Sequence, residues 1–198
     1  LIYQNKISMD TGLFEDKTFE NIDFTDLKPG RREYADCVFT NCNFHKADLS
    51  NDDFMDCQFK ICNLSLAIVE NTGIKNARFT DCKLMGIDFS RCNNFNFSAF
   101  FENSPLDYCS FYQKKMKKTS FINCSIKDAD FTETDLTGAI FKNCDLANAS
   151  FIHSILEKAN FSTAKNYVFD PEMNKIKKAS FSYPGIEGLL AKYDIVIE

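Results

Sequence analysis

The residues in this chain that could carry chemistry are nine cysteines, two histidines and a few adjacent carboxylates. The cysteines are Cys37, Cys42, Cys57, Cys62, Cys82, Cys92, Cys109, Cys124 and Cys144. Cys37/Cys42 and Cys57/Cys62 lie five apart, while Cys42, Cys62 and Cys82 lie twenty apart. Thiolates recurring in this way could hold a soft metal ion, but zinc ligands usually sit closer, as C-x2-4-C around a tight turn. A disulfide framework pairs an even number of thiols in an oxidising compartment, and this count is odd. His45 and His153 have no fixed partner in the sequence, and Asp52/Asp53 read as solvated corner residues. A Gly-rich phosphate loop, a G-x-S-x-G elbow and an H-E-x-x-H helix are all missing. The expectation is therefore a protein without catalytic, metal or cofactor residues, and not an enzyme.

The elements that position the cysteines explain them better. All but Cys92 lie two residues before a large apolar residue, and those large residues recur every five; Cys92 takes the same slot when the register is carried one step past Phe89. The stretch ADFTETDLTGAIFKNCDLANASF (129–151) shows it: Phe131, Leu136, Phe141, Leu146 and Phe151. Positions five apart are about 140° out of register on a helix. On a strand an odd spacing turns every second apolar residue outward. A sustained period of five instead fits short extended steps joined by corners, the mark of a solenoid. The slots run from Phe14 to Phe89, broken only at Pro29, and resume from Phe101 to Phe161. The gap from Phe89 to Phe101 is twelve rather than ten, which places a two-residue slip within 91–99. Asn166 and Pro171 then occupy slots, so one coil near 165–175 is expected to loop out at NYVFDPEMN before Ile176 and Phe181 restore the pattern.

A longer period lies beneath. Phe101, Phe121, Phe141, Phe161 and Phe181 are twenty apart, as are Phe19, Phe39, Phe59 and Phe79. Four steps therefore close one turn, giving a square coil with stacked backbones roughly 4.8 Å apart and a rod of roughly 40 Å. The small slot two before each centre, where Ala alternates with Cys, points inward, and a free Cys there is a small buried hydrophobe. An interior filled with Phe leaves no substrate cleft.

Residues 1–183 form the rod in this reading, and 184–198 form a separate end segment. There PGIEGLLAKYDIVIE has Ile186, Leu189, Leu190 and Tyr193 at helical spacing, followed by Ile195-Val196-Ile197 as a short strand. Charge is uneven: residues 1–56 hold twelve acidic and six basic residues, whereas the rest of the chain is balanced. The basic cluster QKKMKK puts Lys114 in a slot that should be small and inward, so a bulge or a snorkelling stem is expected there. With a net charge of −5, phosphate-mediated nucleic-acid binding is disfavoured. No run of about 18 apolar residues exists, and LIYQNKISMD lacks the signal-peptide pattern. A cytoplasmic protein without a membrane partner is expected.

Units such as ADFTE (129–133), TDLTG (134–138), CDLAN (144–148), ANFST (159–163) and ADLSN (47–51) resemble the A(D/N)LXX unit of the pentapeptide-repeat family. The resemblance covers about residues 12–183 and implies an all-β fold, a right-handed quadrilateral β-helix, here with a short C-terminal helix and strand. Within the family the chain is similar to the Qnr-type fluoroquinolone-resistance proteins, in its size, its mid-rod register break and its terminal LLAKYDIVIE. That similarity implies a homodimer joined through Leu189, Leu190, Tyr193, Ile195 and Ile197. It also implies a DNA-mimic rod that binds DNA gyrase or topoisomerase IV and protects it from quinolones. Outward acids would stand in for phosphates, with Glu33, Asp36, Asp48, Asp52, Asp53 and Asp56 expected in the acidic N-terminal part, and Asp130, Glu133, Asp135 and Asp145 further along. The alternative is a structural protein–protein interaction module with an unrelated partner.

Overall fold

A computed structural model describes residues 11–196. The period of twenty appears directly as strand register. Phe19 pairs with Phe39, Phe39 with Phe59 and Phe59 with Phe79, all in parallel. Across the slip the register becomes twenty-two, Phe79 with Phe101, and then returns to Phe101 with Phe121 and Phe121 with Phe141. These strands build a nine-stranded parallel sheet from Thr18–Glu20 to Ser180–Phe181. It forms one face of a β-helix, and its strands number the coils one to nine. The preceding face (the first face below) carries a four-stranded parallel sheet of Thr11–Glu15, Arg31–Ala35, Asp53–Met55 and Gly73–Lys75. It continues as isolated bridges from Lys115 to Asp135 and from Ile155 to Lys175. Bridges such as Asn43 to Asn63 and Ser110 to Asp130 mark the other two sides.

The corners follow from a conformational preference. Residues two after a centre take φ near +55°, among them Asn21, Asn41, Asn71, Asn123 and Asn143. Asn and Asp tolerate this left-handed region because their short side chains hydrogen-bond locally. Asn143 also donates to Asn123 Oδ1 at 3.0 Å, and Asn123 to Asn103 Oδ1 at 2.9 Å, so one corner carries an amide ladder.

Stacked coils place like rings on like. Along the nine-stranded face the phenylalanines stack with centroids 4.8–5.4 Å apart, close to the strand spacing, and without interruption at the slip. Neighbouring columns meet edge to face, as Phe131 meets Phe141 at 86°. At coils three and four aliphatic centres interrupt the other columns. Leu64, Val69 and Ile74 there border a cavity of about 20 Å³, barely one water in size.

The slip falls inside the expected 91–99, and three other expectations need correction. The slip lies at residues 94–97, and Phe97 turns inward to fill the missing centre while Phe95 points out. Lys114 neither bulges nor reaches solvent. Its ammonium is buried, donates to the Cys92 carbonyl and to Asn94 Oδ1 (2.7 Å), and lies over the Phe97 ring. Burial pushes its pKa down, with partial compensation from neighbouring negative groups. The coil near 165–175 is not simply looped out, because Tyr167 and Phe169 are buried in place of the missing centres and only the 3-10 turn Pro171–Met173 projects. Finally, residues 194–196 form no strand. The end is a single helical turn, Glu187–Leu190, between 3-10 turns at Pro184–Ile186 and Ala191–Tyr193, closed by Asp194 at φ 49°. Ile195 and Val196 pair with no strand among the described residues and are exposed.

Candidate interaction surface

The cysteines are buried free thiols in the small slot. Most donate to the backbone carbonyl twenty-three residues earlier, as Cys144 Sγ does to Phe121 at 3.4 Å and Cys62 Sγ to Phe39 at 3.4 Å. Thr72, Thr134 and Ser154 fill the same slot and make the same bond with their hydroxyls, at 2.7–2.8 Å. The slot therefore selects a small side chain with a short donor, which Cys, Ser and Thr share. Burial raises the Cys92 and Cys109 thiols to about 12, far from a reactive thiolate. Among the described residues no cluster of His, Cys, Asp or Glu could hold a metal ion.

Asp52 shows the slot's strongest demand. It was expected on the surface, but it lies two before Phe54 and is completely buried. Arg32 occupies the same slot one coil earlier, so the two side chains stack. Arg32 Nε sits 2.8 and 3.0 Å from the carboxylate oxygens, its Nη2 2.7 Å away and its backbone N–H 3.0 Å away. The guanidinium also donates to the Lys28 carbonyl at 3.0 Å, next to the broken slot at Pro29. Asp52 is an internal ion-pair partner and leaves the surface set.

The remaining acids divide by position in the repeat. Those one before a centre cap the next corner: Asp48 Oδ1 accepts from Ser50 N at 3.0 Å, Asp130 Oδ1 from Thr132 N at 2.9 Å. Asp135 and Asp145 do the same toward Thr137 and Ala147. Partial burial raises the pKa of these two, but hydrogen bonds from Thr137 and Asn166, joined by Lys117 and Lys127, hold both below the usual carboxylate range. Asp48 and Asp130 lie on the fourth face, Glu133 on the corner after it, Asp135 on the first and Asp145 on the third, so these five form no common surface. Four predicted acids do come together. Glu33 and Asp53 are direct register partners on the first face, with Asp36 and Asp56 on its corners. Partial burial and then the neighbouring Glu33 charge raise the Asp53 pKa, as expected where like charges stack. One coil below, Asp16 continues the corner row of Asp36 and Asp56, and Glu15 adds a charge to the same face in the column of Ala35 and Met55; column counting would have found both.

The same face turns basic further along the rod. Lys115, Lys117 and Lys118 are exposed on coil six, and Lys175, Lys177 and Lys178 on coil nine. Reading charge along the sequence rather than down the columns concealed this polarity.

At the C-terminal end the chain closes on itself. Leu189 is buried against the last coils, Phe169 N donates to Gly188 O at 3.3 Å, and a Cβ at Gly188 would lie 1.9 Å from the Tyr167 carbonyl. Lys192 Nζ bridges Asp170 (2.8 Å) and Glu172 (2.7 Å), and Tyr193 OH donates to Glu172 at 2.9 Å. Of the predicted dimer residues, Leu189 serves this internal cap, Leu190 is half-buried, and Tyr193 and Ile195 are exposed. Ile197 lies outside the described residues. Tyr183, Ile186 and Val196 add further apolar exposure to the same end.

A parallel coil of four five-residue steps, with a small inward slot and a left-handed corner in each, is a four-sided β-helix. Residues 106–143 and 129–165 match the family model of pentapeptide repeats, in eight copies, and the same coil geometry extends to either side of them. Among solved structures the chain is similar to a trypsin-treated form of QnrB1, a plasmid-mediated fluoroquinolone resistance protein. The identity is 19%, covering 98% of this chain and 95% of that one, with a TM-score of 0.65. HetL, a pentapeptide-repeat protein involved in heterocyst differentiation regulation in the cyanobacterium Nostoc sp., matches at 16% identity over 87% of this chain and 90% of its own, with a TM-score of 0.46. At these identities the likeness is one of fold. No curated protein sequence matches the chain. Among the described residues no helix is long and apolar enough to cross a membrane.

Proposed function

We propose that this chain is a non-catalytic rod whose acidic face enters the DNA-binding groove of a type II topoisomerase, DNA gyrase or topoisomerase IV, in place of duplex DNA. Protection of that enzyme from quinolones would follow. The observation that carries the reading is the gathering of Glu15, Asp16, Glu33, Asp36, Asp53 and Asp56 on one face of three successive coils, with Glu33 stacked on Asp53. Three coils span about 14 Å, so six acids give one charge per roughly 2.4 Å of rod. Duplex DNA carries one per about 1.7 Å. The two densities are close enough for one basic groove to accept either, with long-range attraction guiding the encounter. The packed interior supports a role carried by the surface alone. The fold likeness to a fluoroquinolone resistance protein points to the same partner class.

A second reading, an interaction module for an unrelated protein, is favoured by the lysine rows on coils six and nine, which a pure polyanion mimic has no use for. Displacement separates the two. If the rod occupies the DNA groove, it displaces a labelled duplex from gyrase at micromolar concentration, and excess duplex displaces the rod. Simultaneous binding of rod and duplex, or no binding, rejects the topoisomerase reading. Self-association through the C-terminal end, implied by the same resemblance, would rest on Ile186, Tyr193, Ile195 and Val196, since Leu189 is already used. Val196→Asp should then abolish an end-to-end dimer in sedimentation, because this side chain is 86% exposed and takes no part in the fold.

A further inference from the structure

The second half of the rod divides its charge by face. On the first and second faces of coils six to nine, Lys142 and Lys158 join the lysine triads of coils six and nine, and all eight side chains are exposed. The acids there are Asp135 and Glu157, both half-buried, and Asp135 is already engaged by Lys117 at 3.3 Å. The other two faces of the same coils carry six acids against two lysines. A net charge of −5 averages over this division and does not describe the basic side. Bridges from Lys115 to Asp135 and from Ile155 to Lys175 keep the columns in register, so Lys118, Lys158 and Lys178 share the left-handed corner between the two basic faces.

We infer that this corner binds the phosphate backbone of a nucleic acid duplex without reading its sequence. Its net positive charge is concentrated within three coil steps, about 14 Å of rod. Lysine is a point charge that any phosphate accepts, and Ser162 and Ser180 on the second face add hydroxyl donors of the kind that bind phosphate oxygens. Between the triads these faces expose one large apolar side chain among the described residues, Ile140. The patch therefore offers no ring for a base to stack on and no wedge for a bilayer. A flat anionic bilayer covering this half of the first face also covers Glu33 and Asp53 further down the same face. A duplex crossing the rod at coils six to nine does not. Asp56, on coil three, lies about 22 Å from the middle of the patch, beyond the Debye length of roughly 14 Å at about 50 mM salt. The contact goes beyond the topoisomerase proposal and uses other coils. At about 0.15 M salt it is roughly a hundredfold weaker than at about 50 mM, too weak to disturb the displacement of duplex from gyrase.

Fluorescence anisotropy of a labelled duplex of about 20 base pairs and mixed sequence tests this with no topoisomerase present. All samples carry Val196→Asp, so that avidity from association through the C-terminal end is not counted. Binding should have a Kd on the order of 10 µM at about 50 mM salt, with log K falling against log salt at a slope of about −4 to −5. Lys115→Gln/Lys118→Gln/Lys178→Gln should weaken it at least about tenfold and make the slope shallower by about 2–3. Glutamine already occupies an equivalent left-handed corner at Gln113, so this variant should keep the fold, checked by circular dichroism. Asp36→Asn/Asp53→Asn/Asp56→Asn should bind the duplex as well as the parent or better, whereas the topoisomerase proposal predicts that it loses the enzyme, so failure of one proposal is distinguishable from failure of the other. A parent that leaves the duplex unbound at about 100 µM and 50 mM salt, binding insensitive to salt, or a lysine variant that binds as the parent does each overturns the inference. Tighter binding to phosphatidylglycerol vesicles than to duplex at equal accessible phosphate assigns the patch to a bilayer and overturns it too.

Discussion

At the scale of single residues, the position in the five-residue step decides whether a side chain supports the coil or meets solvent. The slot two before a centre mostly takes Ala, Cys, Ser or Thr, and the buried charges in it are held by buried partners, a stacked counter-charge for Arg32 and Asp52 and oxygen acceptors for Lys114. Asp52→Ala removes the carboxylate that neutralises the buried Arg32 guanidinium and should cost about 3–5 kcal/mol, measured by urea unfolding. Phe141→Ala opens a hole between Phe121 and Phe161 in a continuous ring column and should cost about 3–5 kcal/mol in the same experiment. At the corner, Asn143→Val forces a β-branched residue into φ 55° and breaks the amide ladder, for a loss of about 1–2 kcal/mol. Asn143→Gly should lose distinctly less, because glycine adopts that φ freely. The cysteines were legible in the sequence as packing residues through this slot. Asp52 obeys the same count, yet its charge suggested a surface position, because nothing local in the sequence announces that Arg32, twenty residues earlier, lies directly beneath it.

At the scale of elements, the coil, its period of twenty and the slip between Phe89 and Phe101 could all be read from spacing, since each reflects a repeated backbone geometry. The content of the slip could not. That Phe97 enters the core, Phe95 leaves it and Lys114 locks both is a tertiary outcome of one coil having two extra residues. The C-terminal strand is a related miss: Ile195-Val196 has the composition of a strand, but the chain ahead of it is spent in the helical turns that cap the last coil. The end instead docks through charge, which gives it a pH dependence. Hydrogen bonds from Lys192 hold Asp170 and Glu172 below the ordinary carboxylate range. Carboxylates depressed in the folded state stabilise above their unfolded pKa, and that contribution is lost as pH falls through the depressed values. Lys192 is raised by the same contacts, so its share persists at neutral pH and is lost only in strong alkali. Hydrogen exchange over residues 184–196 should be flat from neutral pH to about 5, after correction for intrinsic rates, and should show lost protection below about pH 4. Lys192→Gln should remove that pH dependence.

At the scale of the whole molecule, the fold is a rod that presents side chains in rows set by backbone spacing, and the proposed function resides in which rows carry charge. The acidic excess near the N-terminus was visible in the sequence. Its concentration on one face, opposite in sign to the far half of that same face, emerges only when residues twenty apart are stacked. The central claim is that these rows take the place of DNA on a type II topoisomerase. The most direct measurement is DNA supercoiling by gyrase, with and without a quinolone, in the presence of the rod and of its Glu33→Lys/Asp36→Lys/Asp53→Lys variant. Micromolar rod should inhibit supercoiling or relieve the quinolone block, and the variant should do neither. No effect of the rod, or an equal effect of the variant, would contradict the account.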